Sequence, residues 1–192
     1  MKTNIILAGV GGQGILSIAT VIGEAALNNG LYLKQAEVHG MSQRGGDVQS
    51  HLRLSSEPIY SDLIEKGDVD IIISLEPLEA LRYIDYLKPD GWIVTSSVPF
   101  VNIPNYPDIE EVLAHIRAHK NHVLLDVAAI AKEVGAPVQA SNMVLLGAAI
   151  RLLNLDHNAI IDGVRSIFAR KGEAIVNSNI AAIEGGYHVS AQ

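Results

Sequence analysis

The 192-residue length is typical of one domain, and 48% hydrophobic against 18% charged residues indicates an ordered globular protein. The net charge of −7 disfavours binding to nucleic acid or anionic lipid, and the apolar runs are too short to span a bilayer. Because the chain has no cysteine and opens on no signal-like segment, we expect a cytoplasmic protein without disulfides, thiolate nucleophiles or cysteine-ligated iron–sulfur clusters.

The N-terminal half alternates strand-like and helix-like segments, a pattern typical of a mostly parallel sheet covered by helices. Residues 2–8 are predicted as a buried strand, 14–28 as a helix and 31–38 as the next strand, which together form a βαβ unit. The alternating segment 47–54 predicts a half-exposed strand near a sheet edge, and the apolar segment 70–75 predicts a central strand.

Further strands are predicted at residues 91–96 and 122–127, and further helices at 76–87 and 109–119. The segment 98–108 contains three prolines and is predicted to be irregular.

Beyond residue 128 the pattern is helical, including segments 141–153 and 158–169. The first of these has almost no polar face, so it lies either in the core or in an interface. The tail 185–192 is either mobile or docked on a partner. The prediction is therefore an α/β fold: one Rossmann-like domain over residues 1–192, with a mostly parallel sheet flanked by helices and a helical C-terminal part.

The stretch GVGGQG matches a dinucleotide-binding pattern through Gly9, Gly11 and Gly14, at a predicted strand-to-helix junction. Backbone N–H groups and the helix dipole favour an anion there. Glu37 ends the second predicted strand, where a dinucleotide-binding fold places its ribose-binding acid. The alternative is a turn of small residues that only lets strand and helix pack closely.

A second glycine-rich stretch, HGMSQRGG, follows the second predicted strand, and open α/β sheets place ligand sites at such strand ends. Arg44, Gly45 and Gly46 offer a guanidinium and approachable N–H groups, which suit phosphate or carboxylate. The alternative is a glycine-rich surface turn. No acid/base pair, nucleophile elbow or metal-ligand set stands out, so we predict no catalytic residue and no metal site in this chain.

Taken together, AGVGGQGILSIATVIGEAALNNG and KQAEVHGMSQRGGDVQSHLRL resemble the gamma subunit or domain of the 2-oxoacid:ferredoxin oxidoreductases. The variant EVHGMSQRGG is most similar to the beta subunit of indolepyruvate:ferredoxin oxidoreductases. The resemblance implies a subunit of an enzyme that decarboxylates indolepyruvate or another aryl pyruvate on thiamine diphosphate with Mg²⁺. Electrons would pass through [4Fe–4S] clusters to ferredoxin, and the acyl group to coenzyme A.

The resemblance also implies that this chain alone holds none of these cofactors and is inactive in isolation. A larger alpha subunit would bind thiamine diphosphate and the iron–sulfur clusters, and a dimer of heterodimers is compatible with this arrangement. The absence of cysteine agrees with that division of labour.

The glycine-rich stretches have two alternative roles under this resemblance. They bind a phosphate of coenzyme A, in which case the cofactor-binding residues are Gly9, Gly11, Gly12, Gln13, Gly14, Gln43, Arg44, Gly45 and Gly46. Alternatively they pack, or dock the thiamine-binding partner, and the partner or active-site loop includes Glu37, His39 and Ser42. A different class of protein, a free-standing Rossmann-type dehydrogenase or regulator that binds NAD(P) or a flavin nucleotide, is the competing hypothesis.

Overall fold

The computed structural model describes residues 1–39 and 45–190, apart from the side chain of His39. Within these ranges six strands form one sheet: β1 (Lys2–Val10), β2 (Tyr32–His39), β3 (Asp47–Ser55), β4 (Val69–Ser74), β5 (Leu87–Ser96) and β6 (His122–Leu125). Their order across the sheet is β2-β3-β1-β4-β5-β6. Strands β1, β4, β5 and β6 pair in parallel, whereas β3 is antiparallel to both β1 and β2.

The α-helices of the described ranges are α1 (Ile15–Asn28), α2 (Pro77–Arg82), α3 (Ile109–Arg117), α4 (Val127–Glu133), α5 (Ser141–Ala149), α6 (His157–Phe168) and α7 (Glu173–Val189). Short 3₁₀ turns cover Ile84–Tyr86, Val138–Ala140, Ile150–Leu152 and Ala169–Lys171. Helices α2 and α3 cover one face of the sheet, and α1 with α4 to α7 covers the other. None of these helices is long and apolar enough to cross a membrane.

The sheet confirms the α/β prediction but corrects the pairing of its first three strands. In a simple βαβ unit the two strands are neighbours in the sheet. Here β1 and β2 are not neighbours, because β3 lies between them. The connection from His39 to Asp47 is too short for a parallel crossover, so β3 returns antiparallel to β2. The exposed edge is therefore β2, and β3 lies one strand inside, with Leu52 and Leu54 fully buried.

Several predicted boundaries also move. The helix expected to reach residue 87 ends at Arg82, and β5 begins at Leu87, before its predicted start. Strand β6 ends at Leu125 because the next residue, Asp126, caps α4 by accepting a hydrogen bond from the Ala129 N–H.

Helix α5 lies at the centre of the helical layer. Of the two alternatives for its apolar sequence, the core and an interface, the structure shows the core. All residues of the helix from Asn142 to Ala149 are buried. It crosses α7 at a pair of glycines: a Cβ at Gly147 would overlap the carbonyl oxygen of Ile183, and one at Gly186 that of Val144. Residues 185–189 of the predicted tail therefore belong to α7, with Gly185 and Gly186 buried, and residues 191 and 192 lie outside the described residues.

Candidate functional site

The carboxyl ends of β1 and β4 form the crevice in which an open α/β sheet holds its ligands. The chain leaves β1 into α1 on one face of the sheet and leaves β4 into α2 on the opposite face. Adjacent parallel strands whose connections diverge in this way leave a groove at their carboxyl ends. The GVGGQG stretch lies at this position.

The GVGGQG turn is closed by the side chain of Gln13. Its Oε1 accepts a hydrogen bond from the Val10 N–H at 2.7 Å, and its Nε2 donates to the Leu75 carbonyl at 3.4 Å. Gln13 therefore ties the end of β1 to the residue that follows β4, and its amide is occupied inside the protein.

Two glycines of the turn are required by packing. A Cβ at Gly9 would lie 2.9 Å from both Gln13 Oε1 and Ile15 Cγ1. Gly14 has φ 83° and a Cβ there would lie 2.7 Å from Asn142 Nδ2. Gly12 differs, because its φ is 102° and open space surrounds its Cβ position. Its backbone is therefore approachable from outside.

The N-terminus of α1 is open to an anion. The helix begins at Ile15 after Gly14, with no side-chain cap and no acidic residue in its first turn. Among the described residues, no acceptor is assigned to the N–H groups of Gly12 and Gly14. Unsatisfied N–H groups and the dipole of a 14-residue helix together favour a phosphate or carboxylate at this point.

The structure joins the two glycine-rich stretches by backbone hydrogen bonds. The Gly11 N–H donates to the Gly46 carbonyl at 2.8 Å, and the Gly45 N–H donates to the Gly11 carbonyl at 3.3 Å. Asn102 Nδ2, from the proline-rich connection after β5, donates to the Gly45 carbonyl at 2.8 Å. These bonds occupy the Gly11 and Gly45 N–H groups. Ser42, Gln43 and Arg44 lie outside the described residues, as does the side chain of His39.

Glu37 is not where a dinucleotide-binding fold places its ribose-binding acid. It pairs with Ser50 of β3, and Ser50 pairs with Leu7 of β1. Glu37 is therefore two strand spacings, about 10 Å, away from β1. Along the strand direction it lies level with Leu7 and not with the glycine turn. Its carboxylate accepts a hydrogen bond from Gln35 Nε2 at 2.6 Å on the exposed edge of the sheet.

Two cavities flank the GVGGQG turn. One, of about 360 Å³, lies between the turn, the first residues of α1 and Val48 of β3. The other, of about 620 Å³, extends from the turn to the ends of β4 and β5 and to helices α4, α5 and α7. Its polar lining includes Ser17, Asn142, Lys171 and Asn179, and its apolar lining includes Val98, Phe100, Phe168 and Ile175.

Apart from Gly12, Gln13 and Gly14, the residues that line the larger cavity were not predicted from the sequence. Asn142 was the one available signal, because it is a lone amide in an almost wholly apolar helix. Lys171 and Phe100 belong to connecting segments whose position depends on tertiary packing, so no local pattern marks them.

A buried carboxyl group fixes the connection that covers this crevice. Glu76 is 1% exposed and caps α2 by accepting from the Glu79 N–H at 2.9 Å. The Tyr106 hydroxyl donates a hydrogen bond to the same carboxyl group. Burial raises the pKa of Glu76 above its ordinary value, and burial with the bond to Glu76 raises the pKa of Tyr106. Glu76 thus holds the segment between β5 and α3 against the end of β4.

No three His, Asp or Glu side chains converge as a metal-binding group in the part of the chain that the structure describes. A family profile described as pyruvate ferredoxin/flavodoxin oxidoreductase matches residues 4–189, a range that includes both glycine-rich stretches. The chain belongs to the pyruvate ferredoxin/flavodoxin oxidoreductase family. The resemblance to 2-oxoacid:ferredoxin oxidoreductases that the motifs indicated is thereby confirmed.

Relatives in this oxidoreductase family include indolepyruvate oxidoreductase subunit IorB of Pyrococcus horikoshii, which is 40% identical in an alignment of length 153 that covers 76% of this chain and 75% of that protein. IorB of Archaeoglobus fulgidus is 32% identical in an alignment of length 197, gaps included, that covers 98% of this chain and 95% of that protein. A 2-oxoglutarate synthase subunit KorC of Methanocaldococcus jannaschii is 26% identical in an alignment that covers 100% of this chain and 96% of that protein.

Solved structures share the fold. One is the 2-oxoglutarate:ferredoxin oxidoreductase of Magnetococcus marinus, solved with 2-oxoglutarate, coenzyme A and succinyl-CoA bound. It aligns with a TM-score of 0.78 and 24% sequence identity. The alignment covers 99% of this chain and 31% of that longer chain. The pyruvate oxidoreductase subunit PORC of Thermotoga maritima aligns with a TM-score of 0.73 and 21% identity, over 97% of this chain and 96% of its own. At these identities the likeness establishes the α/β fold.

Proposed function

We propose that this chain, as one gamma-type domain over residues 1–192, is the small subunit of an indolepyruvate-type 2-oxoacid:ferredoxin oxidoreductase. The relatives named IorB support the choice of an aryl pyruvate as substrate. The observation that carries the proposal is the hydrogen-bonded junction of Gly11 with Gly45 and Gly46, because it unites the two motifs at the ligand crevice of the sheet.

The chemistry of the complex would be divided between two chains. A larger alpha subunit would bind thiamine diphosphate with Mg²⁺ and the [4Fe–4S] clusters, since this chain has no cysteine to ligate a cluster. The complex would decarboxylate the 2-oxoacid, pass two electrons to ferredoxin and transfer the acyl group to coenzyme A. In this scheme the small subunit shapes the site and the alpha subunit holds the redox cofactors.

The residues of this chain suit one phosphate group of coenzyme A. The N–H groups of Gly12 and Gly14 would donate to it at the open N-terminus of α1, and the charge of Arg44, with Gln43, would assist from the second glycine-rich stretch. Gly9 and Gln13 shape the turn, and the Gly11–Gly45–Gly46 junction holds the two stretches together.

Two variants of the assembled complex test the coenzyme A site. Gly12→Val strains a residue with φ 102° and covers the turn, and Arg44→Ala removes the guanidinium. Each should raise the Kd for coenzyme A about tenfold, which corresponds to ~1.4 kcal/mol. The measurement is titration of the purified complex with coenzyme A.

A matched control is Gly30→Val, at the other end of α1, where φ is 72° and open space again surrounds the Cβ position. It should strain the backbone equally without changing coenzyme A affinity. Unchanged affinity in both Gly12→Val and Arg44→Ala would eliminate the phosphate site. If Arg44→Ala instead weakens co-purification with the alpha subunit, the second glycine-rich stretch, with Glu37, His39 and Ser42, is a docking loop.

A further inference from the structure

The two edges of the sheet differ in how much backbone they expose. Strand β6 forms one edge with only four residues, His122–Leu125, and a short edge strand offers little backbone to another chain. Strand β2 forms the other edge with eight residues, Tyr32–His39. No strand of the described ranges pairs with the outer side of β2. Its outward N–H and C=O groups can therefore pair with a further strand.

Strand β2 lacks most of the features that ordinarily protect an edge. It contains no proline, and its pairing with β3 runs over all eight residues without a bulge. Its one lysine, Lys34, is balanced by Glu37. Although the whole chain has a net charge of −7, this strand is neutral and does not repel a second copy of itself.

Two apolar side chains are exposed at opposite ends of β2. Tyr32 is 50% exposed and Val38 is 54% exposed. Because they are six residues apart in a strand, both lie on the same face of the sheet, opposite to the face on which Leu33 packs against α1 and its neighbours. The apolar cluster beneath α2 and α3, on the face of Tyr32 and Val38, includes no residue of β2. This surface of the edge strand is therefore open to a partner.

The sequence of β2 is complementary to itself in one antiparallel register. A two-fold axis perpendicular to the sheet at Gln35 places Tyr32 opposite Val38 of the second copy, at both ends of the pairing. An aromatic residue opposite a β-branched residue stabilises an antiparallel pair. The same axis places Lys34 opposite Ala36, so no like charges are directly opposite each other.

The neighbouring registers are less favourable. An axis at Lys34 places the two copies of this lysine opposite each other, and an axis at Glu37 does the same with two carboxylates, which destabilises either pairing. An axis at Ala36 places Tyr32 beyond the last residue of the other strand, His39. The axis at Gln35 is the register that pairs the exposed apolar residues with each other.

We propose that β2 pairs antiparallel with β2 of a second copy of this chain, around a two-fold axis at Gln35, so that the two sheets become continuous. The inference rests on the edge strand and holds whether or not the complex acts on an aryl pyruvate. In an assembled oxidoreductase this pairing joins two small subunits to each other.

Sedimentation equilibrium of the purified full chain tests the pairing. The wild type should associate reversibly to twice the mass of one chain. Tyr32→Lys/Val38→Lys puts like charges opposite each other at both ends and should weaken dimerisation about tenfold or more. Tyr32→Lys/Val38→Glu puts opposite charges there and should restore most of that loss. A monomeric wild type, or equal association of the two double variants, overturns the proposal.

Val138 provides the matched control, because it is apolar and 65% exposed at the rim of the 620 Å³ cavity. Val138→Lys should leave dimerisation unchanged, with circular dichroism as the check on folding of every variant. If Val138→Lys abolishes the dimer and the β2 variants keep it, the copies meet at the cavity rim and the proposal is wrong.

Disulfide trapping tests the register, since the chain has no cysteine of its own. Gln35→Cys places two thiols opposite each other on the axis, with Cβ atoms about 5 Å apart, and should give a covalent dimer under mild oxidation. Tyr32→Cys is at a more exposed position but places the thiols about 20 Å apart, so it should not. Equal cross-linking of the two variants contradicts the register. If β2 gains protection from hydrogen exchange only when the large subunit is added, that subunit covers the edge and the proposal fails.

Discussion

His51 is a buried histidine that must stay neutral. It is 6% exposed, its Nδ1 accepts a hydrogen bond from the Ile64 N–H at 3.0 Å, and its ring meets Tyr86 edge-on at 5.7 Å. Burial lowers the pKa of His51 below the ordinary 6.5, and the neighbouring Arg53 lowers it further. A protonated Nδ1 would lose the bond that anchors the connection between β3 and β4.

This burial predicts a loss of stability in mild acid. Below pH 6.5 the unfolded chain protonates His51 before the folded chain does, so the free energy of unfolding is highest above pH 6.5 and falls as the pH drops toward the lower folded pKa. In urea titrations between pH 8 and pH 5, His51→Gln should show a shallower pH dependence than wild type.

The exposed His188 provides the control, because its side chain is 75% exposed. His188→Gln should keep most of the wild-type pH dependence. If His51→Gln and wild type lose stability in parallel, another group titrates, and the buried neutral imidazole does not control acid stability.

Individual residues of the site were predictable where a local pattern exists. The glycine spacing alone located the turn and the start of α1, because the backbone of a tight strand-to-helix turn requires glycines at this spacing. The partners of Gln13 and Asn142 were not predictable, since Gln13 reaches Leu75 and Asn142 reaches Gly14 across long stretches of sequence. The position of Glu37 relative to the glycine turn was not predictable for the same reason, because it depends on which strand lies beside β1.

The crossing of α5 and α7 depends on glycines that allow backbone contact. Gly147 and Gly186 each face a carbonyl oxygen of the opposite helix, so no side chain fits between the two backbones. A sequence reading of GGYHV as a loose tail is reasonable, because paired glycines weaken an isolated helix. Tertiary packing here overrides that propensity.

Gly186→Ala should therefore destabilise the protein although alanine favours helix. Propensity alone would stabilise the helix by about 0.5–1 kcal/mol, but the added Cβ must push the two backbones apart, with an expected net loss of ~1–3 kcal/mol. Asn177→Ala, at an exposed position of α7, is the control and should be neutral or slightly stabilising. A Gly186→Ala protein as stable as wild type in thermal unfolding would show that the helices have room to separate.

The strands of the sheet were largely predictable from the sequence, but their order was not. Hydrophobic periodicity identifies a strand and its buried face, yet carries no information about which strand pairs with it. The short connection before β3 was the available signal, because it forces an antiparallel neighbour. That insertion moves Glu37 of β2 away from the glycine turn, so Glu37 does not take the position of the ribose-binding acid in a dinucleotide-binding fold.

Under the proposed function, the molecule as a whole completes a site that another chain carries. Its anion-favouring turn and the cavity lined by Lys171 meet at the carboxyl ends of the strands, and it has no cysteine for an iron–sulfur cluster. Membership of the family was readable from the two motifs in combination.

Reconstitution of activity tests the proposed subunit role most directly. The chain should be colourless and inactive alone, and co-expression with its large partner subunit should yield a brown complex containing thiamine diphosphate. That complex should reduce ferredoxin only when both indolepyruvate and coenzyme A are present. A chain that binds NAD tightly and oxidises a substrate alone, or a complex whose ferredoxin reduction ignores indolepyruvate and coenzyme A, would contradict the account.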